Sequence, residues 1–371
     1  MLVLGLETSC DETAASVVER CDHTGRLTER SSVVATQEAI HAPWGGVVPE
    51  AASRAHAERW LPVARLALER AGVSLRDVSG VAVAAQPGLI GSLLVGVSAG
   101  KALAWALGLP FVGVDHVVAH LVAAAIDGDP IPLPAIGLVA SGGHTSLLRL
   151  GADGGLTLIG HTVDDAAGEA FDKAAAILGL PHPGGPNLEV AARGGDASAL
   201  RFTTPHIQDG LGFSFSGYKT ALLYAVRGAP ARQDDRGRIQ PAAPPPLTDA
   251  RRADLAASFQ HAIVHALARG LRKAVEADLA AGEPAKAIVV GGGVCANAQL
   301  RARIEALGAE RGVPVRLPDP RHCTDNASMI AAAGAERLAR GECDGFELGA
   351  RSISSLARGY RGRPAPARPT P

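Results

Sequence analysis

His116 and His120 stand four residues apart in the stretch Val114-Asp-His-Val-Val-Ala-His120. On a helix this spacing puts both imidazoles on one face, about a turn apart, which is a chelating arrangement for a metal ion. The neighbours Val117, Val118, Ala119, Leu121 and Val122 are apolar, and two idle imidazoles would be costly to bury among them without partners. A metal needs at least one further ligand, which the pair does not identify. The plainer alternative is two satisfied or surface histidines. Position 117 is Val, so the Glu of a His-Glu-x-x-His metalloprotease helix is absent.

Asp325 and Asn326 open the last predicted helix, about 326 to 340, where Asp or Asn is expected as an N-cap for structural reasons alone. With Cys323 and Thr324 beside it, Asp325 is also a candidate third ligand, although position by itself favours the cap. Asp172 follows Glu169 at three-residue spacing within Gly168-Glu-Ala-Phe-Asp-Lys173. It reads either as part of an exposed charge face with Lys173 or as a carboxylate that grips ribose hydroxyls.

Three Gly- or hydroxyl-rich turns follow predicted strands, at residues 8 to 13, 141 to 145 and 291 to 297. Such turns can offer backbone N–H groups to a phosphate. One of them alone is ordinary turn chemistry, but three in a repeated frame indicate nucleotide binding. None is a Walker loop or a complete dinucleotide fingerprint. Arg269, Arg272 and Lys273 share a predicted helix face, and Arg351, Arg358, Arg361, Arg363 and Arg368 stud the C-terminal segment. Clusters of this kind are usually solvated, with phosphate contact as the alternative.

The elements that must position these residues are legible in the pattern of apolar runs. A run at 2 to 6, a polar tip and a second run at 14 to 18 predict a hairpin. The same grammar returns at 135 to 140 and 146 to 150, and this duplication predicts two similar α/β lobes facing a cleft. Helices are predicted at about 49 to 71, 92 to 107, 167 to 178 and 248 to 281, and from Asn297 onward. Strands are predicted at 81 to 85, 111 to 114 and 287 to 290, and a turn at 182 to 187. The Pro-rich stretch 228 to 248 reads as a mobile surface insert, and 361 to 371 as a disordered tail.

The chain has 371 residues, 47% apolar and 20% charged, with only 4% aromatic. That composition suits a two-lobed globular α/β protein. The net charge of −1 excludes a polycation, so any nucleic-acid surface must be local. Five scattered cysteines argue against a disulfide framework and against a thiolate zinc cage, and fit a reducing compartment. Glu7, Asp11 and Glu12 interrupt the opening apolar run, so no signal peptide is read there. The uncharged stretch 81 to 100 is broken by Gln86-Pro-Gly88 and reads as strand, turn and core helix rather than a membrane span. A cytoplasmic location is expected.

Taken together, the motifs resemble the tRNA N(6)-adenosine threonylcarbamoyltransferase family, once labelled O-sialoglycoprotein endopeptidases, and its bacterial branch most. The resemblance rests on Gly5-Leu-Glu-Thr-Ser-Cys-Asp-Glu-Thr13, Gly45-Gly-Val-Val-Pro-Glu50 with Arg54 and His56, and the histidine stretch. It continues through Ala140-Ser-Gly-Gly-His-Thr145, Asp164-Asp-Ala-Ala-Gly-Glu-Ala-Phe-Asp-Lys173, Phe213-Ser-Phe-Ser-Gly217, Gly291-Gly-Gly-Val-Cys-Ala-Asn297 and Thr324-Asp-Asn326.

The resemblance implies the fold of the actin, hexokinase and heat-shock-chaperone superfamily, with two ribonuclease-H-like lobes and a central nucleotide cleft. The lobes would span 1–131 and 132–320, with 321–360 returning to the first and 361–371 as the tail. By the same resemblance, the reaction would move a threonylcarbamoyl group from threonylcarbamoyl-adenylate to the exocyclic amine of adenosine 37, in tRNAs that read codons beginning with A. His116, His120 and Asp325 would hold one divalent metal, iron(II) first, with zinc and manganese as alternatives. Val139, Ala140, Ser141, Gly142, Gly143, Asp172, Gly185 and Asn297 would bind the adenylate. Asp11 is the favoured acceptor of the amine proton. Partners would be tRNA, a dimerising paralogue and a small ATPase, with no membrane.

Three features depart from the family pattern: the insert, the tail, and Cys295 where Ala is common. Glu189 is left off the site. The rival readings are an ATP-dependent small-molecule kinase or ATPase of the same fold, a metalloprotease, and a non-catalytic scaffold.

Overall fold

The computed structural model describes residues 1–44, 46–203, 211–228 and 244–358. Gly45, most of the predicted insert and the predicted tail lie outside the described residues. The described chain builds two five-stranded sheets with the same internal order. In the first, β1 (Leu2–Glu7) pairs antiparallel with β2 (Glu12–Arg20), and β2 with β3 (Leu27–Thr36). On the other side β1 runs parallel to β4 (Gly80–Gln86), and β4 to β5 (Phe111–Asp115). The second sheet repeats this with β6 (Ala135–Ala140), β7 (Thr145–Leu150) and β8 (Leu156–His161) antiparallel, then β9 (Ala287–Gly291) and the short β10 (Val315–Arg316) parallel. The duplication inferred from the two hairpins is therefore complete at the level of strand order.

β1, β4, β5, β6 and β9 are buried along nearly their whole length. That is why these strands read as continuous apolar runs, as expected when helices cover both faces. Sequence reading missed β3 and β8. In β3 buried Leu27, Ser31 and Val33 interleave with exposed Thr28 and Arg30, and the outer strand carries too many polar residues to stand out.

The helices follow their punctuation. In α1 (Glu38–His41) and α2 (Pro49–Ala71), the longer helix starts at Pro49 and stops at Gly72, which adopts a left-handed φ of 68°. α3 (Ile90–Leu107) ends likewise at Gly108. By length and composition α3 is apolar enough to cross a membrane; here Leu93, Val97 and Ala104 are buried against the first sheet. α4 (His116–Val122) begins directly at the end of β5. In the second half come α5 (Ala167–Ile177), α6 (Gly184–Ala191), α7 (Ser216–Arg227), α8 (Asp249–Ala280) and α9 (Ala298–Arg311). The predicted turn at 182–187 is corrected: its Gly184 to Asn187 form the first turn of α6, because Pro183 is extended and can precede a helix.

The last helix, α10 (Ala327–Ala339), is buried on nearly every side and packs on the first sheet. Its contact with β1 leaves no room for a side chain at Gly5, where a Cβ would lie 2.5 Å from the Ala327 carbonyl oxygen and 2.7 Å from the Ala331 nitrogen. Gly5→Ala is expected to cost about 1–3 kcal/mol, as overpacking of rigid backbone does. Urea unfolding followed by circular dichroism reads it; a change near zero would show that α10 can move off β1 freely.

Candidate metal and nucleotide site

Three elements that start or end at one edge of the first sheet bring the candidate ligands together. β5 ends at Asp115, whose carboxylate accepts hydrogen bonds from the Val117 and Val118 backbone nitrogens at 2.9 and 3.3 Å and so caps α4. The cap fixes the first turn of α4, from which His116 and His120 project on one face, with ring centroids 4.7 Å apart. Asp325 arrives from the loop before α10. Its Oδ1 lies 3.3 Å from His116 Nε2 and 3.4 Å from His120 Nε2. One ligand atom from each of the three falls within 4.8 Å of the others.

The choice between cap and ligand for Asp325 resolves by one residue. Asn326 is the cap, accepting from the Met329 nitrogen at 3.0 Å, and Asp325 turns to the histidines. The distant third group that the spacing could not identify is thereby supplied.

The donor set fits a cation. His120 is 1% exposed, yet its Nδ1 has no hydrogen-bond partner and its Nε2 has only the long approach of Asp325 at 3.4 Å. A buried imidazole in that condition is costly unless something accepts its lone pair. His116 is oriented from behind, its Nδ1 lying 2.8 Å from the Glu7 carboxylate and 3.3 Å from Ser9 Oγ. A carboxylate behind a ligating histidine fixes its tautomer and raises its basicity. Glu7 was not foreseen as a functional residue; the available signal was a carboxylate closing an otherwise apolar strand.

Burial opposes charge on His116, but the Asp325 and Glu7 carboxylates overcome it and hold the imidazole well above its usual pKa. Burial likewise opposes charge on Asp325, and His116 and His120 outweigh it, so its carboxyl lies well below the usual range. His120 is lowered by burial and by the charge on its neighbour. His144 is pushed down to about 4 by burial and by His116 and His120. It therefore belongs to the same electrostatic environment, although sequence reading gave it no role.

The β1–β2 turn comes within electrostatic reach of Asp325. There Glu12 is raised to about 9 by burial, by the charges of Asp11 and Asp325, and by a hydrogen bond with Asp11. His56, fully buried, holds this turn from below: its Nδ1 is 2.8 Å from Thr13 Oγ1 and its Nε2 3.1 Å from the Cys10 carbonyl oxygen.

The expected nucleotide residues lie at the end of β6 and in the turn after it, midway along α5 (Asp172), at the start of α6 (Gly185) and at the cap of α9 (Asn297). Val139 and Ala140 bury their side chains in the core, so their backbone alone is available for contact with a ligand. The Ser141–His144 turn is closed by mutual hydrogen bonds, and the Gly168 nitrogen donates to the Ser141 carbonyl at 3.1 Å. Gly142, Gly143, Gly185 and Gly293 each face open space, where a Cβ would meet no atom within 4 Å.

Asp172 accepts from the Gly184 nitrogen at 2.9 Å, while Lys173 pairs with Asp165 and Glu169. The charge-face alternative thus holds for Glu169 and Lys173 but not for Asp172. Asn297 caps α9 through the Leu300 nitrogen and donates to Gln260 Oε1 at 2.8 Å, leaving one amide hydrogen for a ligand. Glu189, left off the site, accepts from the Ala298 nitrogen at 2.9 Å and ties α6 to α9. Asp164, which accepts from Ser214, Phe215 and Ser216, explains the paired acids of its motif as a clamp on α7.

The two regions meet. A Cβ on Gly291 would lie 2.1 Å from the His120 carbonyl oxygen, so the glycine turn at the end of β9 rests on the histidine helix itself. Gly292 adopts a left-handed φ of 97°, and a Cβ there would lie 2.4 Å from the Ala140 carbonyl oxygen.

The family described as TsaD, tRNA N6-adenosine threonylcarbamoyltransferase, matches residues 28–332. A tRNA N6-adenosine threonylcarbamoyltransferase from Sorangium cellulosum is 46% identical over 96% of this chain and 98% of its own. One from Anaeromyxobacter dehalogenans is 49% identical, covering 94% and 97%. The chain belongs to this family. Among solved structures, HypF of T. kodakarensis superposes with a TM-score of 0.56 at 15% identity, over 91% of this chain and 47% of that one, and this likeness concerns the fold alone.

The pH dependence has a definite sign. The raised His116 contributes stability below its ordinary value of 6.5 that is lost as pH rises through its higher folded value; the depressed Asp325 contributes above 3.8 and loses it on acidification. A metal must displace the His116 proton, so raising pH should destabilise the metal-free protein while tightening metal binding. Glu7→Gln should weaken metal affinity by about 10–100-fold, as loss of a ligand's hydrogen-bond partner does. Chelator competition across pH measures both; a pH-independent affinity would refute the displacement.

Proposed function

We propose that this chain transfers a threonylcarbamoyl group from threonylcarbamoyl-adenylate to the exocyclic amine of adenosine 37 in tRNA, at one centre formed by the histidine helix and the glycine turns. The observation that supports this reading is the contact of the Gly291 turn with the His120 backbone, which brings the His–His–Asp cluster beside the glycine turns. In this reading the two sheets are the ribonuclease-H-like lobes of the actin, hexokinase and heat-shock-chaperone superfamily, spanning 1–131 and 132–320, with 321–360 returning to the first.

His116, His120 and Asp325 would hold one divalent ion, iron(II) in the first place. Such an ion supplies Lewis acidity toward carbamoyl or phosphate oxygens. The chain's own residues do the rest. The acceptor amine is a weak nucleophile because its lone pair is delocalised into the purine, so orientation and charge stabilisation must supply most of the acceleration. Gly142 and Gly143 offer backbone N–H groups where no side chain intrudes, the Ser141 nitrogen being spent on the His144 carbonyl. Gly185 leaves space beside Asp172, and Asn297 has one free amide hydrogen. Adenine 37 must leave the anticodon stack to enter, which a loop permits more readily than a duplex.

Burial and the charges of Asp11 and Asp325 push Glu12 up to about 9, which disfavours it as acceptor of the amine proton, and in our reading its hydrogen-bonded neighbour Asp11 takes the role. A neutral His144 beside the histidines adds no positive charge to compete with a cation. tRNA is the macromolecular substrate, with a dimerising paralogue and a small ATPase as partners, and the cytoplasm is the compartment. A kinase of the same fold would have no use for a His–His–Asp triad.

Transfer of labelled threonine to unmodified tRNA by the chain with its partners tests the reading. Asp11→Ala should lower the rate by about 10²–10⁴-fold, the usual contribution of a general base, with adenylate affinity retained. His116→Ala should lose transfer together with metal. Full activity in a folded Asp11→Ala protein would move the proton acceptor elsewhere, and full activity without His116 would remove the triad from the reaction.

A further inference from the structure

Asp115 does more than cap α4. Its second carboxylate oxygen, in a residue only 2% exposed, accepts from Ser354 Oγ at 2.5 Å and from Gln86 Nε2 at 3.2 Å. Gln86 also donates to Ser355 Oγ at 2.6 Å. Ser354 and Ser355 belong to the segment after α10, which shares no element with the histidines. That segment is anchored at each step across the first sheet. The Asp344 nitrogen donates to the Phe111 carbonyl, and its carboxylate accepts from the Gly113 nitrogen and from Arg337. Leu348 covers Gly113 so closely that a Cβ there would lie 2.3 Å from its methyl, and the Arg351 nitrogen donates to the Ala85 carbonyl at 2.9 Å.

Beyond the serines, Leu356 is 4% exposed and packs in a cluster with Val117 and Leu121 of α4 and with Val139, Leu148 and Val289 of the second sheet. The segment thus crosses from one sheet to the other, holds α4 at its cap through Ser354, and ends in the apolar cluster that also takes in Val117 and Leu121 of α4.

We infer that residues 344–358 form a positioning strap for the candidate metal centre, in which Ser354, through Asp115, fixes the rotation of the histidine helix. The inference rests on the reading of His116, His120 and Asp325 as metal ligands. Physically, a carboxylate with one oxygen on the helix start and the other on a separate chain segment has no freedom to swing. The direction of His116, the next residue, is set by it. Losing the Ser354 bond leaves the cap bonds and the 3.2 Å Gln86 bond in place but removes the shorter tie to the strap, which loosens the ligand geometry without unfolding the helix. Ser354 touches neither metal nor substrate, so it is a positioning residue.

Cobalt(II) binding to the full-length protein tests this, with affinity measured by chelator competition, coordination by the visible d–d bands, and stability by thermal unfolding. Ser354→Ala is expected to weaken cobalt binding about tenfold, the lower end of what outer hydrogen-bond partners contribute, and to shift the d–d bands with the unfolding temperature retained. Ser354→Thr, which keeps the hydroxyl, is expected to restore both. Wild-type affinity and bands in Ser354→Ala would overturn the strap, and so would a loss of binding that merely tracks a loss of stability. If the wild-type protein itself bound no cobalt, the metal reading would fail first and the strap with it, a result distinct from the others.

Discussion

Two carboxylates and two imidazoles meet at the carboxyl end of β1, in a place where water reaches little more than the edge of Asp325. Glu7 and Asp325 bring negative charge into surroundings that disfavour charge, and such groups persist only when paired. Without a metal, a proton on His116 meets that demand, since it lies between both acids. His120 gains only the 3.4 Å approach of Asp325 to its Nε2, and its buried Nδ1 is left unpartnered. A divalent cation would answer both conditions at once. It would replace the proton as counter-charge and accept a lone pair from His120. The rest of the local structure reads as the means of keeping these four side chains together despite their mutual cost.

The duplicated sheets explain where that meeting occurs. In each sheet the central strands run parallel, and their carboxyl ends open toward loops rather than toward covering helices, the usual location of ligand sites in α/β proteins. Glu7, Asp115, Ser141 and Gly291 all stand at such ends. The first sheet supplies charge and ligands, and the second supplies glycine turns with open backbone. α4 lies between them, its histidines on one side and the Gly291 turn against its backbone. A family whose reaction must bring a nucleotide-borne acyl group to a nucleobase amine needs two kinds of surface side by side, and the repeat provides both from one design.

Legibility in the sequence tracked physical cause. α2 and α8 could be bounded closely because Pro49, Gly72 and Thr248 are local signals that act where they stand. The histidine pair was legible because helical spacing is local too. Glu7 and His144 were not, since their importance arises from what lies across the fold. β3 and β8 were missed because outer strands tolerate polar residues, and α6 was missed because Pro183-Gly-Gly-Pro186 reads as a turn until neighbouring helices bury Gly184 and Leu188. The adjacent pair Asp325 and Asn326 is the clearest limit. Either could cap α10, and nothing local tells which one does.

That ambiguity has a counterpart in how the site is held. Both segments that carry the candidate ligands are helix starts, and in both a capping residue is the immediate neighbour of a candidate ligand: Asp115 before His116, Asn326 after Asp325. A cap fixes the backbone direction of the first turn through its hydrogen bonds to the free backbone nitrogens there. A ligand one residue away therefore inherits its direction from the backbone rather than from loose side-chain packing. Because α10 is pressed onto β1 at Gly5, and β1 itself ends in Glu7, the two starts are referred to the same strand. The distance between His116 and Asp325 is then set by rigid elements on both sides, which is the condition under which three protein groups can hold a metal and still leave it positions for a reacting oxygen.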